Sequence, residues 1–137
     1  MGGVTDRRSL ENRRVYVIDD DSAVLESMAF LLDAYGHSCA TFASADEFLA
    51  ELNGLAPGCV ITDLQMPGTD GCQLLSAMRA RSIGWPVCLM SSSTRGLKTR
   101  ARAHGFLAFL AKPVQNEELV AALDRAVRLL PASQGVS

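Results

Sequence analysis

A few acidic side chains and one lysine stand where chemistry could be done. Asp19-Asp20-Asp21 follows the apolar run Val15–Ile18, Asp63 follows Cys59–Thr62, and Lys112-Pro113 follows Phe106–Leu110. Carboxylates gathered in one place repel, and each raises the pKa of its neighbours. A divalent cation removes that conflict, and hard oxygen donors with room for water suit Mg2+. The Lys112 ammonium would pair with Asp63 or with an incoming phosphoryl oxygen. A carboxylate held beside a cation and an ammonium is a nucleophile toward phosphorus, and both positive groups stabilise charge on a phosphoryl group in transfer. The hydroxyl run Ser91-Ser92-Ser93-Thr94 follows a further apolar stretch. Taken singly, each feature has a plainer reading. Asp21 or Ser22 fits a helix N-cap, Asp63 a turn residue before Met66-Pro67-Gly68, and Lys112-Pro113 a loop. Their joint placement is what favours chemistry.

That placement depends on the elements around them. Five short β-rich runs, Val15–Ile18, Ser38–Phe42, Cys59–Thr62, Val87–Ser91 and Phe106–Leu110, are bounded by Gly, Pro, Asp or Ser, as strands are. Helical spacing fills the intervals. Val24, Met28, Leu31, Leu32 and Tyr35 form one apolar face, which Gly36 can close. Ser44-Ala45-Asp46-Glu47 fits a capping box at the start of a second helix. A third runs from Gly71 to about Arg81, and a fifth carries Leu119, Ala122, Leu123, Ala126, Val127 and Leu130 on one face. Between Thr94 and His104 only Leu97, Ala101 and Ala103 could face a core, which predicts a short or imperfect helix, with His104 a loop or helix-end residue. Strands alternating with helices predict an α/β fold with a parallel sheet covered on both faces. Ligands of such sheets bind outside the carboxyl ends of the strands, where the acids, the hydroxyls and the lysine fall.

Composition bounds the remaining possibilities. A length of 137 residues fits one domain, and 48% hydrophobic residues exclude intrinsic disorder. Thirteen Lys and Arg against fifteen Asp and Glu give a net charge of −2, which argues against direct nucleic acid binding by this chain. No apolar run reaches the length of a membrane span, and the polar, Arg-bearing N-terminus has no apolar signal core. Cys39, Cys59, Cys72 and Cys88 include no C-x-x-C pair and read as free thiols, which fits a cytoplasmic protein. Met28, Met66, Met78 and Met90 read as core fillers, and Trp85 as packing at the mouth of the fourth strand. Residues 1–12 read as a disordered tail, 13–130 as the folded domain, and 131–137 as a tail or the start of a linker.

The stretches Val17-Ile18-Asp19-Asp20-Asp21, Thr62-Asp63-Leu64-Gln65-Met66-Pro67-Gly68-Thr69-Asp70-Gly71 and Ala111-Lys112-Pro113 together resemble the receiver domain of two-component response regulators, particularly receivers of the FixJ type. The resemblance covers about residues 13–130. It implies a doubly wound, flavodoxin-like (βα)5 fold with strand order 2-1-3-4-5. It implies that Asp63 accepts the phosphoryl group from a sensor histidine kinase, and that the domain is a phosphoacceptor signalling unit rather than a turnover enzyme. Asp20 matches the direct carboxylate ligand of Mg2+, Asp19 the acid acting beside it, and the Gln65 backbone carbonyl a further ligand. The Gln65 side chain matches a position that influences phosphate hydrolysis. Ser91 matches the hydroxyl that moves to the phosphoryl group, Phe109 the aromatic that turns inward with it, and Lys112 the lysine that pairs with phosphate, often before a cis proline. A homodimer through the face of the fourth helix, fifth strand and fifth helix is implied as well.

The chain departs from that pattern after Ser91. Ser92, Ser93 and Thr94 stand where receivers of this kind carry Gly or Ala, and the basic run of Arg95, Lys98, Arg100 and Arg102 replaces an apolar helix. A solvated face is the plainer reading of that run, with an acidic protein surface or a second protomer as the alternative partner. A phosphorylation-independent interaction module on the same fold is therefore a second functional reading. A third is an acid-nucleophile phosphatase. It would want an Asp-x-Asp-x-Thr arrangement and a cap region, neither of which the chain offers.

Overall fold

The computed structural model describes residues 13–93 and 97–130. The expected tails, 1–12 and 131–137, and residues 94–96 of the basic segment lie outside the described residues. The strands are β1 (Arg14–Ile18), β2 (Ser38–Phe42), β3 (Cys59–Asp63), β4 (Val87–Ser91) and β5 (Ala108–Ala111). The helices are α1 (Ser22–Ala34), α2 (Ala45–Glu51), α3 (Gly71–Ala80), α4 (Leu97–His104) and α5 (Asn116–Leu129), with a 3-10 turn at Leu52–Gly54. All neighbouring strands are parallel and lie in the order β2-β1-β3-β4-β5.

Alternation along β1 sends its side chains to two cores. Tyr16 and Ile18 join Phe48 of α2, Leu74 and Met78 of α3 and Ala101 of α4 on one face. Val15 and Val17 join Met28 and Leu32 of α1 and Leu119, Leu123 and Ala126 of α5 on the other. With both faces covered, β3 and β4 are buried along their whole length. The edge strand β2 is the exception: Ser38, Ala40 and Thr41 are exposed. The four expected core methionines are buried. All four cysteines are free, Cys59 and Cys88 fully inside. Among the described residues no helix is long and apolar enough to cross a membrane.

Three local details differ from the sequence reading. The fifth strand begins at Ala108 rather than Phe106. Gly105 adopts φ +99, and the Phe106 N–H donates to the Ala101 carbonyl, so the residues after α4 close the helix before the strand starts. The Ser44 hydroxyl accepts from the Glu47 N–H at 3.1 Å. The full reciprocal box forms at α3 instead, where Asp70 accepts from the Gln73 N–H at 2.8 Å and Gln73 accepts from the Asp70 N–H at 2.9 Å. Finally, β2 is far more exposed than its apolar run implied, because no strand lies outside it. The expected close of α1 is present: Gly36 has φ +83 and its N–H donates to Asp33.

Candidate functional site

The carboxyl ends of β1, β3 and β5 carry the acids and the lysine, and register brings them together. β1 pairs with β3 through Ile18 and Thr62, so the next residues, Asp19 and Asp63, leave the sheet side by side. Carboxylate oxygens of Asp19, Asp20 and Asp63 all lie within 4.8 Å of one another. Asp19 is only 1% exposed, Asp63 is buried, and Asp20 faces solvent. Lys112, from the far side of β4, places Nζ 2.8 Å from Asp19 Oδ2 and 3.1 Å from Asp63 Oδ1. The Lys112-Pro113 peptide is cis.

Backbone groups hold these side chains in place. Asp19 Oδ1 accepts the Asp21 N–H at 2.9 Å, and the Asp19 N–H donates to the Phe42 carbonyl at 3.1 Å. Asp21 is the N-cap of α1 and accepts the Ala23 N–H, so one of three consecutive acids serves the helix. The Lys112 N–H donates to the Ser91 carbonyl, and the Leu64 N–H to the Met90 carbonyl, tying β5 and β3 to the end of β4.

The electrostatics follow from burial and charge. Burial pushes the Asp63 carboxyl above the usual carboxylate range, and Asp19 adds to the effect; the hydrogen bond from Lys112 works against it. Burial alone would lower the Lys112 pKa, but its hydrogen bonds to Asp19 and Asp63 outweigh that and hold it above the usual lysine value. One ammonium thus faces two buried carboxylates, with a third at the solvent side. The donor set is all hard oxygen and carries excess negative charge with an open side at Asp20, which fits a divalent cation such as Mg2+.

A family model, the response regulator receiver domain, matches residues 15–124. This chain belongs to the response regulator receiver family. The transcriptional regulatory protein FixJ of Bradyrhizobium diazoefficiens is 40% identical over 115 residues, 83% of this chain and 56% of that protein. The response regulator protein TodT of Pseudomonas putida is 33% identical over 129 residues, 93% of this chain and 55% of that protein. The crystal structure of FixJ-N superposes with a TM-score of 0.81 at 28% identity, covering 89% of this chain and 98% of that one. The receiver thus spans about half the length of these two curated relatives.

Other residues singled out in the sequence stand nearby without joining the cluster. The Ser91 side chain is buried, and its hydroxyl accepts the Ser93 N–H at 3.2 Å. Phe109 pairs in register with Leu89, two residues before Ser91, so Phe109 and Ser91 share a sheet face. It is half-buried against that face's core. Gln65 lies two residues past Asp63 with its side chain exposed.

The receiver also uses residues to which the sequence reading assigned no role. A Cβ at Gly71 would lie 2.6 Å from the Asp63 carbonyl and 3.1 Å from Leu89 Cδ1, so only glycine lets α3 start this close to β3. The Gly71 N–H closes the β3–α3 loop onto the Leu64 carbonyl at 2.9 Å. Thr69 donates to Asp46 Oδ1 at 2.7 Å, clamping the same loop to the first turn of α2. Gly71 was visible as the end of the long Thr62–Gly71 stretch, whereas nothing local linked Thr69 to Asp46.

Proposed function

We propose that this receiver accepts a phosphoryl group on Asp63 from the phosphohistidine of a sensor histidine kinase, in a Mg2+-dependent reaction, and that the added charge switches its α4–β5–α5 face. The observation that carries the reading is the placement of Asp63: 3.1 Å from the Lys112 ammonium and within 4.8 Å of Asp19 and Asp20 oxygens. Asp19, Asp20, Asp63 and the Gln65 backbone carbonyl would hold Mg2+. When bound, the ion neutralises the acid cluster and stabilises charge on the transferring phosphoryl oxygens.

An Asp63 carboxylate oxygen attacks phosphorus. The O–P bond forms as the P–N bond to the donor imidazole breaks, and the imidazole leaves with the electron pair. Lys112 stays charged throughout and orients a phosphoryl oxygen by the ammonium that now bonds Asp63. The acyl phosphate brings about −1.5 to −2 charge and three acceptor oxygens. Ser91 leaves its bond to the Ser93 N–H for one of those oxygens, and Phe109, on the same sheet face, fills the space it vacates. Two packings of α4 and β5 then exchange population, biased by the phosphoryl group. Dimerisation through the α4–β5–α5 face is the output, read by light scattering with and without beryllofluoride.

The direct test is intact-mass measurement after incubation with Mg2+ and acetyl phosphate. The wild-type chain gains one phosphoryl mass and Asp63→Asn gains none. Equal gain in both, or none in the wild type, would falsify the assignment. A partner affinity indifferent to Asp63→Asn and to beryllofluoride would favour the phosphorylation-independent module instead.

A further inference from the structure

The sheet has two edges, and they are finished differently. No residue of β5 is exposed, whereas Ser38, Ala40 and Thr41 of β2 are. The Ser38 N–H donates to the Arg13 carbonyl at 2.9 Å, and the Phe42 carbonyl accepts the Asp19 N–H at 3.1 Å. The parallel register between these points is unbroken, so Ser38, Ala40 and Phe42 direct their backbone groups to β1. Cys39 and Thr41 therefore direct their N–H and C=O groups outward. Among the described residues no strand takes them. Natural edge strands are commonly guarded by a lysine, a proline or a bulge. The β2 strand, Ser-Cys-Ala-Thr-Phe, carries no charge and no proline, and its register with β1 contains no bulge.

We propose that two copies of this chain pair antiparallel through β2 and so join their sheets into one. A two-fold axis at Ala40 sets Cys39 of each copy opposite Thr41 of the other, and each such pair exchanges two N–H···O=C bonds. Ala40 then meets its own counterpart, where paired strands approach most closely, and its side chain is only a methyl. Charge selects the antiparallel sense. Arg13 and Arg14 lie beside the amino end of β2, against Asp33 of α1, whereas Asp46 and Glu47 of α2 stand exposed just past its carboxyl end. Antiparallel pairing brings the basic end of each copy toward the acidic end of the other, and parallel addition would set acid beside acid. An extended segment of another protein could satisfy the same backbone groups, but a second copy also supplies both charged ends in the reversed order. β2 is the edge farthest from β5, so the contact leaves the α4–β5–α5 face free. It stands whether or not Asp63 accepts a phosphoryl group.

The test uses the full chain with no phosphoryl donor. Sedimentation velocity over a wide concentration series reads association, and amide hydrogen exchange reads the edge itself. A dimer forms reversibly, and the Cys39 and Thr41 amides gain protection as it does. Thr41→Pro removes an outward donor but no bond to β1, so it weakens association about tenfold or more at an unchanged melting temperature in dilute solution. Thr41→Val keeps the donor and keeps the dimer. A chain that stays monomeric throughout overturns the proposal. So does a dimer that leaves the two amides unprotected, which places the contact on another face. Protection already complete in the dilute monomer overturns it by showing the edge to be covered within one copy. Growth beyond the dimer that is indifferent to Thr41→Pro overturns it in favour of non-specific aggregation.

Discussion

The two ends of the sheet carry opposite charge and are built by different means. At the carboxyl ends of β1, β3 and β5 the charged groups sit on, or one residue beyond, the last strand positions. Strand register therefore sets their separations, and Asp19, Asp63 and Lys112 are locked in mutual contact. At the amino ends of β4 and β5, Arg79, Arg102 and Arg125 stand on three helices, on long side chains facing solvent. The first arrangement suits chemistry, in which sub-ångström placement of a nucleophile governs rate. The second holds its charges only as firmly as three separate helices and their exposed side chains do. The aromatic group near the amino end, where Trp85 stacks on Tyr16 at 5.9 Å and Tyr16 lies 5.7 Å from Phe48, is part of the packed core.

That division can be broken by substitution. The largest change in stability belongs to Phe48→Ala, which empties a fully buried position and costs about 3–5 kcal/mol. Chemical denaturation reads it, and phosphoryl uptake below the melting temperature should stay near wild type. A parallel loss of uptake would show the two ends to be coupled.

Lys112→Met reverses the pattern. It removes the ammonium that faces Asp63, and uptake from acetyl phosphate should fall about 100-fold, as when one preorganised electrostatic stabiliser is lost. It also changes the alkaline limb of stability. Because the folded-state pKa of Lys112 is raised, its stabilising contribution is fully present below the usual lysine value and is lost as pH rises through the raised one. Melting temperature against pH should decline more gently there in Lys112→Met. An unchanged alkaline limb would mean that the contacts with Asp19 and Asp63 contribute nothing to stability.

Gly71→Ala sharpens the comparison by touching both properties at once. Its Cβ meets the Asp63 carbonyl, so α3 must shift, at about 1–3 kcal/mol by analogy with overpacking. Uptake should slow as well, because the carbonyl that moves belongs to the phosphoacceptor. A destabilised variant with wild-type uptake kinetics would show that the position of α3 and the geometry of Asp63 are independent.

Much of this was legible before any coordinates. The alternation of strand and helix, the acids after β1 and β3, the lysine after β5 and the short fourth helix are local patterns, each set by periodicity and by turn residues a few positions away. The closing Gly36 belongs to the same class. The strand order came from resemblance to receivers rather than from periodicity, which says nothing about which strands are neighbours.

Other features needed the assembled fold. Three consecutive acids look alike in the chain, yet Asp21 caps a helix, Asp20 faces solvent and Asp19 is buried against Lys112, 93 residues away. The late start of β5 reflects how α4 is closed, and the clamp from Thr69 to Asp46 joins a loop to the first turn of α2 across 23 residues. The convergence of Arg79, Arg102 and Arg125 was equally hidden, since they come from three separate helices. The physical reason is common to all of them. Local sequence determines which conformations a segment prefers, whereas contact between distant side chains depends on the register of non-consecutive strands and on how closely helices pack against them.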